Sequence, residues 1–176
     1  MTDLRRVPWD SSGAAMIELA MVLPLILMLV VGMVSAAIAY NHELALSHSA
    51  REGGRFGATL PIDNYASTDA WLDVVAQAVG DDATGTLGPG APGRYICVAF
   101  VHPAGNLASD TTRRRVETTG APVYSDAECF SDGRPDSERR VQVQVRRDTE
   151  FSVAFFSTTL TLESDGVSRF EAAIGG

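Results

Sequence analysis

From Leu19 to Tyr40 the chain runs for 22 residues without a charge. Wound as an α-helix, that run is about 33 Å long, enough to cross the hydrocarbon core of a bilayer. Val, Ile and Leu dominate it and cover every face, so it is not an amphipathic surface helix. Pro24 lies inside the run, where it removes one backbone donor and bends the helix; membrane helices tolerate this better than soluble ones. One carboxylate, Glu18, stands just before the run. Arg5 and Arg6 precede it and favour a cytoplasmic N-terminus, whereas Arg51 and Arg55 just beyond it oppose that orientation.

Two simple readings of this run are open. Arg5 and Arg6 make the basic region of a secretory signal, and "SAAIA" ending at Ala39 offers an A-x-A cleavage site. Against this, the run is longer than the usual signal core of about 7–15 residues, and such a signal has no use for Glu18. The second reading is a plain uncleaved anchor. An ionised group costs on the order of 3 kcal/mol at the centre of a membrane helix and less near the interface, and such a group marks a functional position by default.

The order of these residues resembles a known family. "SSG", then "AAMIE", then "LAMVLPLILMLVV" is similar to the N-terminus of type IV prepilins. More narrowly, "GAAMIELAMVLPLILMLV" together with "NHELALSHSAREGGRFGA" (41–58) resembles the TadE-like minor pilins, or pseudopilins, of the Tad/Flp tight-adherence pilus. The resemblance covers Ser12 to about Ala58. It implies a cytoplasmic leader, 1–13, ending at Gly13 and removed by a prepilin peptidase to expose Ala14 as the new N-terminus. It implies that Glu18, then fifth in the chain, guides the subunit into the filament. It also implies other Tad pilins, the Tad secretion platform and the membrane as partners, and a single-pass location with the C-terminal domain outside. The spacing has a physical rationale. Cleavage creates a positive α-amine on Ala14, and a carboxylate four residues on lies about one helical turn away. Pairing the two within a chain or between neighbours lowers the cost of holding charge in lipid.

Beyond Tyr40 the helix is expected to continue to about residue 57, its first part in the membrane (about 19–40) and its second on an outer domain, 58–176. Glu52 can pair with Arg55, Gly53 and Gly54 weaken the helix, and Pro61 ends it. "STDAWLDVVAQAVG" (67–80) reads as a second helix, capped by Ser67 or Thr68, closed by Gly80, with Trp71, Leu72, Val75 and Val79 facing a core. "GDDATGTLGPGAPG" reads as a loop; Asp81 and Asp82 lack the spaced oxygen ligands of a calcium site. "RYICVAFVH" (94–102) reads as a strand, followed by a polar loop from Pro103 to about Thr119 in which Arg113, Arg114 and Arg115 are solvated. "APVYSDAECF" holds a short extended piece. "RRVQVQVRRD" (139–148) alternates as a strand buried on one face. "FSVAFF" is a short apolar piece, and 158–171 contains another strand. Helices first and strands after give an α+β class with an antiparallel sheet.

Cys97 and Cys129 are the only cysteines. Outside the cytoplasmic membrane a bond between them is expected, and two buried free thiols are the alternative. Neither redox nor metal spacing is present, and no cofactor is implied. All 14 basic residues are Arg and the net charge is −8, a poor balance for nucleic-acid binding. No hydrolase elbow, zinc motif or phosphate loop is present, so no enzyme is expected. His42, His48 and His102 form no constellation. A pilus protein, a secreted binding module released after Ala39, and a membrane-anchored enzyme or sensor are the three functional readings.

Overall fold

The computed structural model describes residues 11–102, 112–134, 138–153 and 156–171. Helix α1, Ser11–Thr59, is a single helix of 49 residues that contains Pro24 and runs unbroken through Gly53, Gly54 and Gly57. It ends two residues before Pro61. Helix α2, Thr68–Asp82, is capped by Ser67, whose hydroxyl accepts from the Ala70 N–H at 3.2 Å. It runs past Gly80, and a short helix α3, Thr84–Leu87, follows where a plain loop is expected from the sequence.

Five strands follow: β1 (Tyr95–Val101), β2 (Arg113–Glu117), β3 (Val123–Ser125), β4 (Arg140–Val153) and β5 (Phe156–Arg169). They form one sheet in the order β3-β2-β1-β4-β5 with every pairing antiparallel. The architecture is α+β: a long apolar helix leading into a domain with a helix on an antiparallel sheet.

Two expectations need correction. Arg113–Arg115 opens strand β2, because Asp69 and Asp73 of α2 pair with Arg113 and Arg115, while Arg114 donates to the Ser125 hydroxyl and the Glu128 carbonyl. "FSVAFF" is no separate piece: its first three residues lengthen β4 and Phe156 opens β5, so the two form a hairpin of 14 paired residues on each side.

Helices α1 and α2 lie on one face of the sheet. Ile96, Val98 and Phe100 of β1 and Val141, Val143 and Val145 of β4 face them, and Trp71, Leu72, Val75 and Val79 of α2 close the core. Trp71 is fully buried, meets the rings of Phe100 and Phe170 edge-on at 5.8 and 6.3 Å, and donates its indole N–H to the Leu60 carbonyl. The opposite face is covered by the segment after β3. Cys97 is bonded there to Cys129, with Cα atoms 5.9 Å apart. The fully buried Gln142 accepts from the Cys129 N–H and donates to the Phe130 carbonyl and Asp132. Arg140, also buried, lies 2.7 Å from Asp132. The polar groups of this face are thus held by one another, as burial requires.

Candidate functional site

The site is the long helix itself, and it has two unlike parts. Towards its C-terminus α1 presents a stripe of small residues to the sheet, and the fit is tight. A Cβ at Gly53 would stand 2.2 Å from Val79 Cγ2, and one at Gly57 would stand 3.0 Å from Val141 Cγ1. From the other side, a Cβ at Gly166 of β5 would meet the Ala50 carbonyl oxygen at 2.2 Å. The glycines of "AREGGRFG" therefore set how close α1 approaches α2 and the sheet; the packing they permit outweighs their cost to the helix, about 0.5–1 kcal/mol each. Ser49 and Ala50 are fully buried in the same stripe.

As α1 runs back towards its N-terminus, β4 runs alongside it towards the hairpin end. His42 Nδ1 lies 3.1 Å from Thr149 Oγ1. Partial burial, and then the charge of Arg147, push the His42 imidazole below its ordinary value, favouring its neutral form. Ser35 donates its hydroxyl to the Ser152 carbonyl at 2.7 Å, and Gly32 faces Val153.

From Ala15 to Leu27 every residue of α1 is exposed. Met16, Met21 and Leu25 are 74, 74 and 61% exposed, and the most apolar stretch of 18 residues, mean hydropathy 2.6, has no buried residue. Such a surface is stable only in lipid or against other apolar surfaces. Gly13, Ala14 and Glu18 all lie on this helix. Gly13 is exposed, with nothing within 4 Å of where a Cβ would be, and Glu18 is exposed about one turn beyond Ala14. Gly13, Ala14 and Glu18 therefore share one end of the helix, and Cys97 and Cys129 are joined at the far side of the sheet.

A cluster absent from the sequence reading ties α2 to the sheet. Arg113 forms a two-pronged pair with Asp69 at 2.8 and 3.0 Å and reaches Asp126. Arg115, largely buried, pairs with Asp73 and Glu117, and Arg94 pairs with Glu117 from the other side. The Arg113 hydrogen bonds hold the Asp69 carboxyl below its ordinary value despite partial burial. Burial pushes the Glu117 carboxyl up, but Arg94 and Arg115 outweigh it and leave it lowered. Asp69 and Asp73 stand four apart on α2 and Arg113, Arg115 and Glu117 alternate on β2. That helix-period and strand-period pairing was the available signal. A cleft of about 340 Å³ opens over Asp73, Arg94, Arg115 and Glu117, whose charges are already matched to one another. His102, buried beside Phe100, is a core residue. His48 lies 3.2 Å from Asp82, and among the described residues no group of His, Cys, Asp and Glu side chains converges as a metal site requires.

Residues 13–55 match the family model described as TadE-like protein. The match begins at Gly13 and covers the exposed part of α1 together with most of the glycine-lined part. That family is a structural and assembly family associated with the Tad pilus. No curated protein and no solved structure matches the chain.

Proposed function

We propose that the chain is a minor pilin or assembly protein of a Tad-type pilus. It is made as a precursor, cut after Gly13 by a prepilin peptidase, and held in the membrane by the exposed part of α1 with its sheet domain outside. The mature helix then packs among other Tad pilins and acts in filament initiation, assembly or adhesion. One observation carries the reading: α1 is a single helix from a bare apolar end to a glycine-lined end locked on the sheet. That is the build of a subunit that is first anchored in lipid and later joined through the same helix.

The secreted alternative, with cleavage after Ala39, fits this build poorly. Ala39 is itself buried, and Gly32 and Ser35, which touch the β4–β5 hairpin, would be removed with the signal. An export signal has no reason to be part of the folded domain's packing.

In this reading Glu18 meets an α-amine, its own or a neighbour's, in a low-dielectric setting. Glu18→Ala is expected to leave cleavage largely intact and to impair assembly, read by pilus counts in a strain carrying the variant at the native locus. Normal piliation in that strain would make Glu18 an incidental interfacial residue.

A further inference from the structure

We propose that the end of the β4–β5 hairpin, formed by Phe151, Val153 and Phe156, seats in the outer lipid boundary of the membrane that α1 crosses. The proposal rests on the membrane-spanning reading of α1 and adds a second membrane contact to it. The hairpin end is fixed to the helix at a known height by the Ser35–Ser152 hydrogen bond and the contact of Val153 with Gly32. Gly32 stands about 27 Å along the helix from Ala14, close to the roughly 30 Å of a bilayer's hydrocarbon core. If Ala14 lies at the inner boundary, the hairpin end lies at the outer one.

The composition of the hairpin suits that depth. Phe156 is 64% exposed, and the sequence carries no charge from Phe151 to Leu162. Ser152, Ser157, Thr158 and Thr159 flank the apolar residues with hydroxyls that suit the headgroup level. The free outer edge of β5 argues against deeper entry, because unpaired backbone groups are costly in hydrocarbon. Lipid is favoured over a second protein copy as the occupant, because the hairpin end lies alongside the very helix that the bilayer surrounds. The hydrocarbon-spanning part of α1 then shifts to about residues 14–32 from the charge-free run 19–40. Glu18 comes to lie a turn inside the inner boundary, where a pairing partner matters more.

The test uses the full chain reconstituted at about one copy per vesicle, with Phe156→Trp and, separately, Leu27→Trp. The emission of the unsubstituted chain is subtracted to remove Trp9 and Trp71. The vesicles carry lipids brominated either near the headgroup or near the bilayer centre. Leu27→Trp is expected to lose emission mainly to the deep bromines, and Phe156→Trp mainly to the shallow ones. Three results for Phe156→Trp overturn the proposal: quenching by aqueous iodide and by neither lipid, quenching mainly by the deep bromines, or shielding from iodide and lipid alike. If Leu27→Trp itself escapes the brominated lipids, the spanning reading fails first and takes the proposal with it.

Discussion

The two ends of α1 share one helix but not one environment. Around Met21 and Leu25 the large side chains are about half to three-quarters exposed, and none of them is buried. Around Gly53 and Gly57 the side chains are absent, so that the helix can lie against Val79, Val141 and Val143. Soluble folds hide large residues and show small or polar ones; the N-terminal end of this helix does the reverse. The change from one to the other marks where the chain's own packing stops. From about Met28 onward one face of the helix packs on the domain, and N-terminal to it the helix waits for another solvent.

That contrast is open to mutation. The largest effect is expected from Trp71→Ala, which empties the ring cluster with Phe100 and Phe170. Denaturant unfolding of the outer domain should lose about 3–5 kcal/mol. Leu27→Ala should leave the same transition unmoved, and a loss of comparable size there would mean that the exposed end does pack on its own domain. Next, opening the Cys97–Cys129 bridge by a double Ser substitution removes a loop closure over 32 residues of separation. The chain-entropy model puts that at roughly 3–4 kcal/mol, read by the same unfolding curve.

A smaller loss, about 1–3 kcal/mol, is expected for Gly166→Ala, because its Cβ would meet the Ala50 backbone, which has no rotamer to move. Gly13→Ala, where nothing lies nearby, should be silent for stability. A silent Gly166→Ala would show that the close approach of helix and sheet is not needed for the fold. The smallest effect is a mild acid sensitivity of the domain. Asp69 and Glu117 are held below their ordinary values of 3.8 and 4.5 by their arginines. Their contribution is complete above about pH 4.5 and is lost as pH falls through the lowered values, since protonation breaks the pairs. Arg113→Gln should flatten the Asp69 part of that dependence in thermal melts taken from pH 6 down to pH 3.

Much of this was legible in the residues. The charge-free run, the cap at Ser67, the spacing of Trp71, Leu72, Val75 and Val79, and the alternation of Val141, Val143 and Val145 are local patterns, and local patterns carry helix and strand. The position of Gly13, Ala14 and Glu18 on one helix follows from spacing alone. What stayed hidden depends on partners distant in the chain. Arg113–Arg115 looks solvated until Asp69 and Asp73, some 40 residues away, are placed opposite. Gly53 and Gly54 look like helix breakers until Val79 of α2 and Ser168 of β5, which crowd their missing Cβ atoms, are in place. The reach of the hairpin down to Gly32 depends on how β4 runs along α1, which no spacing within either element records.

Whether α1 is a membrane anchor that becomes a filament helix after its leader is removed can be read at its N-terminus. The full chain would be co-expressed with a prepilin peptidase, recovered from the membrane and sequenced from its first residue. A chain that starts at Ala14, whole through Glu18 and Gly32, is expected. A chain that starts at Tyr40 would contradict it and make the apolar run an export signal.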